Sequence, residues 1–145
     1  MNWKNEAVEK LKNYAAMRTS LESIPQELKQ LELDAEKIRT SDPSRVSTRG
    51  AGTAEDALLS NFVRRQELEN ALSQAKCWVT GVDKALNTLS REEHLVLEKL
   101  YMYPRLNAVD GLCELLCTEK SSVYRRREQA LRHFTTALYG QVHSA

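Results

Sequence analysis

The sequence predicts an all-α protein in which two long helices, paired as an antiparallel hairpin or coiled coil, are followed by three short helices. Of its 145 residues only 5 are glycine and 3 are proline, so few positions interrupt a helix. Apolar residues recur at steps of three and four, which is the spacing of one helix face. The hydrophobic fraction of 41% and the charged fraction of 28% are those of a soluble globular protein. Together these observations favour helices along most of the chain.

The first predicted helix covers roughly 2–39. Its apolar stripe is interrupted by Arg18 and slips by one residue between Leu21 and Ile24, and Pro25 follows directly. Because proline lacks an amide donor and clashes with the preceding turn, we expect a kink or short break near 23–25, with a new helix start there. The stripe consists of Ala7, Leu11, Tyr14, Leu21, Ile24, Leu28, Leu31, Ala35 and Ile38.

A loop is predicted at about 40–55, where proline, glycine, serine and threonine occur without an apolar period. A second long helix is expected from Ala54 or Glu55 to Leu89. Its apolar residues step by four and three without a fault, and they are Leu68, Leu72, Ala75, Val79, Val82, Leu86 and Leu89, with Leu58 and Phe62 upstream.

The two stripes match in length and character, so each long helix can bury the apolar seam of the other. The same seams could instead pair between two copies of the chain and give a homodimer through the arm. The sequence leaves both arrangements open. We assign 1–89 to this helical arm and 90–145 to a second domain.

The second domain is predicted to begin with a capping box at Ser90 to Glu93, where the serine caps an amide one turn on and the glutamate reaches back. This helix buries Leu95, Val96, Leu97, Leu100 and Tyr101 and closes at Pro104. A shorter helix at about 107–116 buries Val109, Leu112, Leu115 and Leu116. After a brief turn, a last helix runs from about Glu119 to Tyr139.

The last helix has two contrasting faces. Its predicted inner face is Val123, Ala130, Leu131, Phe134 and Leu138, and its outer face carries Lys120, Ser121, Tyr124, Arg125 and Arg127. From Thr118 onwards five Lys or Arg oppose two acidic residues, a charge of +3, whereas 90–117 carries −2. Three short helices with a tight turn before a basic third one is the helix-turn-helix layout, which presents arginine forks to bases in the major groove of DNA. The alternative is a helical bundle whose last helix has a solvated basic face.

The stretch from Leu89 to Leu131 resembles region four of bacterial sigma factors. The matching elements are Leu89-Ser90-Arg91-Glu92-Glu93, Val96-Leu97, Leu112-Cys113-Glu114-Leu115-Leu116, Ser121-Ser122-Val123-Tyr124-Arg125-Arg126-Arg127 and Ala130-Leu131. The whole layout is similar to the short phage regulators of the RinA and ArpU types. Those regulators join an N-terminal helical segment and a loop to a sigma-like C-terminal helix-turn-helix.

The resemblance implies a transcription regulator of phage or prophage genes that binds promoters and contacts RNA polymerase. If the residue roles of this family apply at the matching positions, Val123 is the buried anchor of the recognition helix. The residues that face double-stranded DNA are then Lys120, Ser121, Ser122, Tyr124 and Arg125. Cys117 stands where a turn glycine is usual, and Glu119 stands where a capping serine is expected. The outer-face position of Arg127 adds a sixth candidate DNA-binding residue.

Other chemistry finds little support. Cys113 and Cys117 lie four apart, but zinc needs about four converging ligands, so buried structural cysteines are the better interpretation. No phosphate loop, zinc-protease motif or nucleophile motif occurs, so we expect no enzyme activity and no cofactor. No long apolar run and no secretory signal is evident, which predicts a cytoplasmic protein without a membrane partner.

Two other functions remain open beside the transcription regulator. A small terminase subunit also joins a helix-turn-helix to a coiled coil, but acts in DNA packaging as a ring. A coiled-coil interaction module would bind other proteins and would not bind DNA.

Overall fold

The computed structural model describes residues 2–41 and 53–140, and within them the protein is all-helical, with no strand. The α-helices are α1 (Trp3–Thr40), α2 (Ala54–Asn87), α3 (Arg91–Leu97), α4 (Ala108–Leu116) and α5 (Lys120–Tyr139). The predicted all-α class is therefore confirmed. The loop expected at 40–55 lies, over 42–52, outside the described residues.

The chain divides into two compact units. We call residues 1–18 with 77–145 the terminal unit, and residues 19–76 the arm unit. This division differs from the boundary between 89 and 90 that we expected, because the beginning of α1 and the end of α2 belong with the three short helices.

In the arm unit, buried Asn61 joins α2 to α1. Its amide donates to the Leu31 carbonyl at 2.8 Å and its carbonyl oxygen accepts from the Arg65 guanidinium at 2.8 Å. Three residues further along α2, Arg64 pairs with Glu27 at 3.1 Å. Arg64 follows Asn61 along α2, whereas its partner Glu27 precedes Leu31 along α1. This opposite order of the two contacts is that of antiparallel helices.

Of the kink or short break expected near Pro25, the break is wrong, since α1 continues from Trp3 to Thr40 with the proline inside it. Pro25 is exposed. On the solvated side of a helix, water can hydrogen-bond the Leu21 carbonyl that the missing amide leaves without a partner. The loss is therefore one intrahelical hydrogen bond and not a buried unsatisfied group.

In the terminal unit, α3, α4 and α5 share a core made by Val96, Leu112 and Val123, one residue from each helix, all at most 1% exposed. The residues packed around it are Leu95, Leu100, Val109, Cys113 and Leu116. Leu115 is 62% exposed, so its predicted burial is wrong. It lies one position from Leu116 and therefore faces about 100° away on α4.

α3 runs into a π-helical turn over Glu98–Met102. The amide of Tyr103 donates to the carbonyl of Glu98 at 2.9 Å, five residues back. The wider turn brings Met102 into the core, where it is 5% exposed. Within the described ranges, no helix combines the length and apolar character needed to cross a membrane.

Candidate nucleic-acid interface

The turn between α4 and α5 has the geometry of a left-handed helix end. Cys117 has φ 53° and ψ 46°, and its amide donates to the Cys113 carbonyl. The amide of Thr118 donates to the same carbonyl at 3.1 Å. These bonds satisfy the Cys113 carbonyl and end α4 three residues before α5 begins. The left-handed turn that usually contains glycine is thus present with a cysteine in its place.

α5 begins without a side-chain cap. Glu119 is extended, and its carbonyl accepts from the amides of Ser122 and Val123 at 3.1 and 3.2 Å. Lys120 pairs with Asp110 of α4 at 3.5 Å, and both side chains are mostly exposed. The first turn of α5 is therefore fixed by its own backbone, while Lys120 is held near an acidic neighbour.

The buried face of α5 matches the prediction at four of its five positions. Val123, Ala130, Leu131 and Phe134 are at most 1% exposed, whereas Leu138 is half-buried. Thr135, also buried, donates its hydroxyl to the Leu131 carbonyl at 2.6 Å. This face holds the helix along three turns and so determines which residues point outward.

The side of α5 opposite this buried face is polar and open. Ser121, Arg125, Gln129 and Arg132, at steps of four, four and three, are all exposed, and we call them the Arg125 face. Arg125 and Arg132 form no ion pair with any residue of the described part of the chain. Both guanidinium groups are therefore free to take an external anion or hydrogen-bond acceptor.

Arg127 lies elsewhere. Its Nη2 donates to Glu128 at 3.0 Å, and its guanidinium stands 5.1 Å from the ring centroid of Tyr124. Its Nε is buried and has no hydrogen-bond partner among the described residues. Arg127 is thus half-buried on the flank of α5, away from the Arg125 face, together with one side of Tyr124.

Two acidic residues of α3 hold the middle of α5. Arg126 donates to Glu92 at 2.5 Å, and the His133 ring bonds Glu93. Glu93 also completes the predicted capping box with Ser90, which is confirmed. Burial acts to raise the pKa of Glu93, but the hydrogen bonds from Ser90 and His133 outweigh it and lower that pKa below its usual value.

The beginning of α1 contacts the same helix from another side. Lys4 pairs with Glu128, and the Trp3 and Tyr139 rings lie 4.8 Å apart. The bond from Lys4, followed by that from Arg127, lowers the pKa of Glu128 despite some burial. This carboxylate is consequently neutralised from within the protein, which reduces its repulsion of an approaching polyanion.

A polar cleft of about 430 Å³ also lies in the terminal unit, beside Arg18, His94 and Glu98. Beside it, the Tyr14 hydroxyl donates to Asp83 at 2.6 Å, and burial together with this bond raises the pKa of Tyr14 to about 12. The phenol therefore stays protonated and links α1 to α2 at neutral pH. We assign it a structural role.

All three cysteines are free thiols, and the described residues contain no cluster of metal-ligating side chains. Cys113 is half-buried and packs against the core, as expected for a structural cysteine. Cys117 is exposed, so its predicted burial is wrong. The left-handed turn carries its side chain outward.

The six predicted DNA-binding residues are thus distributed over different surfaces. Ser121 and Arg125 share the open face, Lys120 is exposed at the helix start, Ser122 is half-buried, and Tyr124 is 43% exposed on a flank beside Arg127. Two residues of the open face, Gln129 and Arg132, were missed by the sequence prediction. The signal that could have found them is their spacing of four and seven from Arg125.

Comparisons of the chain with protein-family models, with curated proteins and with solved structures gave no match in any of the three.

Proposed function

We propose that the protein is a sequence-specific transcription regulator of phage or prophage genes, and that α5 is the recognition helix that enters the major groove of double-stranded DNA. The observation that carries the proposal is the Arg125 face. It offers two arginines without ion pairs among the described residues, directly opposite the buried face of the same helix.

The chemistry of this face suits duplex DNA. An arginine fork donates two parallel hydrogen bonds to guanine O6 and N7, and serine hydroxyls bond bases or phosphates. The core and the bonds from Glu92 and Glu93 to α5 fix the helix before DNA arrives. Little ordering of the protein is then needed on binding, which favours affinity.

The resemblance of 89–131 to region four of sigma factors supports the same function and adds promoter binding with a contact to RNA polymerase. The proposal includes that contact, through the acidic side of α3 and α4 or through the arm. It also includes a homodimer formed by the arm and a cytoplasmic location. Exposed Leu59 and Val63, on one face of α2, support a protein partner for the arm.

Selection of binding sites from random-sequence duplexes tests the proposal. The protein should enrich one motif, and Arg125→Ala should weaken binding to it by about 1–3 kcal/mol while relaxing one base-pair position. Arg39→Ala is the matched control, because Arg39 is an exposed arginine of the arm unit with only a 3.9 Å pair to Glu36. It should leave the motif and the affinity unchanged.

Two outcomes would contradict the proposal in favour of the other functions. A ring of eight or more subunits, seen by mass measurement in solution, would indicate a packaging protein like the small terminase subunits. Absence of an enriched motif, with duplex binding that does not respond to salt, would indicate a protein-interaction module.

A further inference from the structure

We infer that Arg132 holds a DNA phosphate, while Arg125 reads a base. The inference rests on the proposed function, since it assigns different tasks to two residues of the same interface. It adds Arg132, which lies outside the matched motif, to the candidate binding residues. It leaves out Arg127, which lies within that motif.

The spacing of the two arginines separates their tasks. Seven residues make almost two helical turns, so Arg125 and Arg132 share one face and lie about 10 Å apart along α5. The major groove is about 12 Å wide, and the N-terminal part of a recognition helix is the part that reaches base edges. When Arg125 lies over the groove floor, Arg132 therefore lies near the wall, where the phosphates are.

Charge availability favours Arg132 over its neighbours. Arg126 is committed to Glu92 and Arg127 to Glu128, so a phosphate would have to displace an internal carboxylate from either. Arg132 is exposed and pairs with no acidic residue of the described ranges. It can neutralise a phosphate without breaking an existing ion pair.

The position of Arg132 is also well defined. The next residue, His133, bonds Glu93 of the α3 capping box, and the preceding residue, Leu131, is 1% exposed in the core. Both neighbours fix the turn of α5 that carries Arg132. Its Cα is therefore held at a constant distance from that of Arg125, and the side chain can reach a phosphate from there.

A salt titration of duplex binding, on the motif enriched by the wild-type protein, tests the inference. Each phosphate contact contributes about 0.9 to the slope of log affinity against log salt. Arg132→Ala should lower the magnitude of that slope by about 1, so its affinity deficit shrinks about 4-fold between 50 and 200 mM salt. The enriched motif should stay that of the wild type.

Three further variants make the result specific. Arg132→Lys should keep most of the slope, because a lysine still neutralises a phosphate as a point charge. Arg125→Ala should change the motif, and Arg39→Ala should change neither property. Urea unfolding of each variant verifies that the fold is intact, which we expect because Arg132 is exposed.

The possible results distinguish a failure of the Arg132 assignment from a failure of the proposed DNA-binding function. If the wild type enriches a motif and Arg132→Ala keeps the wild-type slope, the inference is wrong and the proposed function stands. If Arg132→Ala instead relaxes one base-pair position, Arg132 reads a base and the phosphate assignment is overturned. If the wild type itself shows no salt-dependent duplex binding, both proposals fail.

Discussion

Arg126 of α5 donates to Glu92 of α3 at 2.5 Å, and this ion pair fixes the middle of the candidate recognition helix against the first turn of α3. Arg126 is 31% and Glu92 61% exposed, so water screens the pair. Pairs of this kind contribute about 0.2–1 kcal/mol.

A double-mutant cycle with Arg126→Ala and Glu92→Gln should accordingly give a coupling energy of about 0.5 kcal/mol in the free energy of unfolding, because solvent weakens the pair. The measurement is urea unfolding of the four proteins at low salt. The coupling should decrease at high salt. A coupling above about 2 kcal/mol would mean that the pair is desolvated, contrary to its exposure.

Replacing Cys117 by glycine should raise the free energy of unfolding by about 0.5–1 kcal/mol. A left-handed φ costs a residue with a Cβ about 1–2 kcal/mol, and the greater freedom of glycine in the unfolded chain offsets part of that gain. Cys117→Val should destabilise, since a β-branched residue tolerates φ 53° poorly.

Cys77→Gly is the matched control for that gain. Cys77 is also exposed but lies inside α2. Glycine there should destabilise by about 0.3 kcal/mol, the difference between the helix propensities of cysteine and glycine. Chemical or thermal unfolding of the two glycine variants should therefore give opposite signs, and equal signs would show that the turn is not left-handed in solution.

Acid should weaken the fold partly through Glu93. Its pKa is lower in the folded protein than in the unfolded chain, so the stabilisation that it provides is present above its unfolded pKa of about 4.5 and is lost as the pH falls through the folded value. Unfolding free energies measured at pH 5 and pH 3 should fall more for the wild type than for Glu93→Gln. An equal fall in both proteins would show that Glu93 is not the group responsible.

Two leucines of α4 should respond very differently to truncation. Leu112 is 1% exposed in the shared core, so Leu112→Ala should cost about 2–5 kcal/mol through lost burial and a cavity. Leu115 is 62% exposed, and Leu115→Ala should change the free energy of unfolding by less than about 0.5 kcal/mol. A large loss at Leu115 would indicate that a partner chain covers it in solution.

The features that the sequence predicted well are local. The capping box at Ser90 depends on residues three positions apart, and the buried face of α5 follows from one helical period. Both can therefore be predicted from a short stretch of sequence. The π-helical turn at 98–102 has no comparable signal, because its apolar spacing reads as an ordinary helix end before Pro104.

The outer-face position that the sequence prediction gave to Arg127 is wrong, because Arg127 is half-buried. Arg127 lies four residues after Val123 and four before Leu131, so the helical period places it on the buried side of α5. Arg132 lies seven residues after Arg125 and therefore on the open side, so both positions follow from the period that the prediction applied incompletely. A different part of the surroundings of α5 depends on distant residues, since Lys4 stands 124 positions before its partner Glu128 and no short window of sequence predicts that contact.

The contact of Trp3 with Tyr139 has a practical consequence for dissecting the protein. A fragment starting at Ser90 would uncover the Tyr139 ring and lose Lys4, one of the two cations that pair with Glu128, although it would contain every candidate DNA-binding residue. Domain boundaries for expression should therefore keep the opening eighteen residues joined to the closing helices, for example by a short tether that replaces the arm.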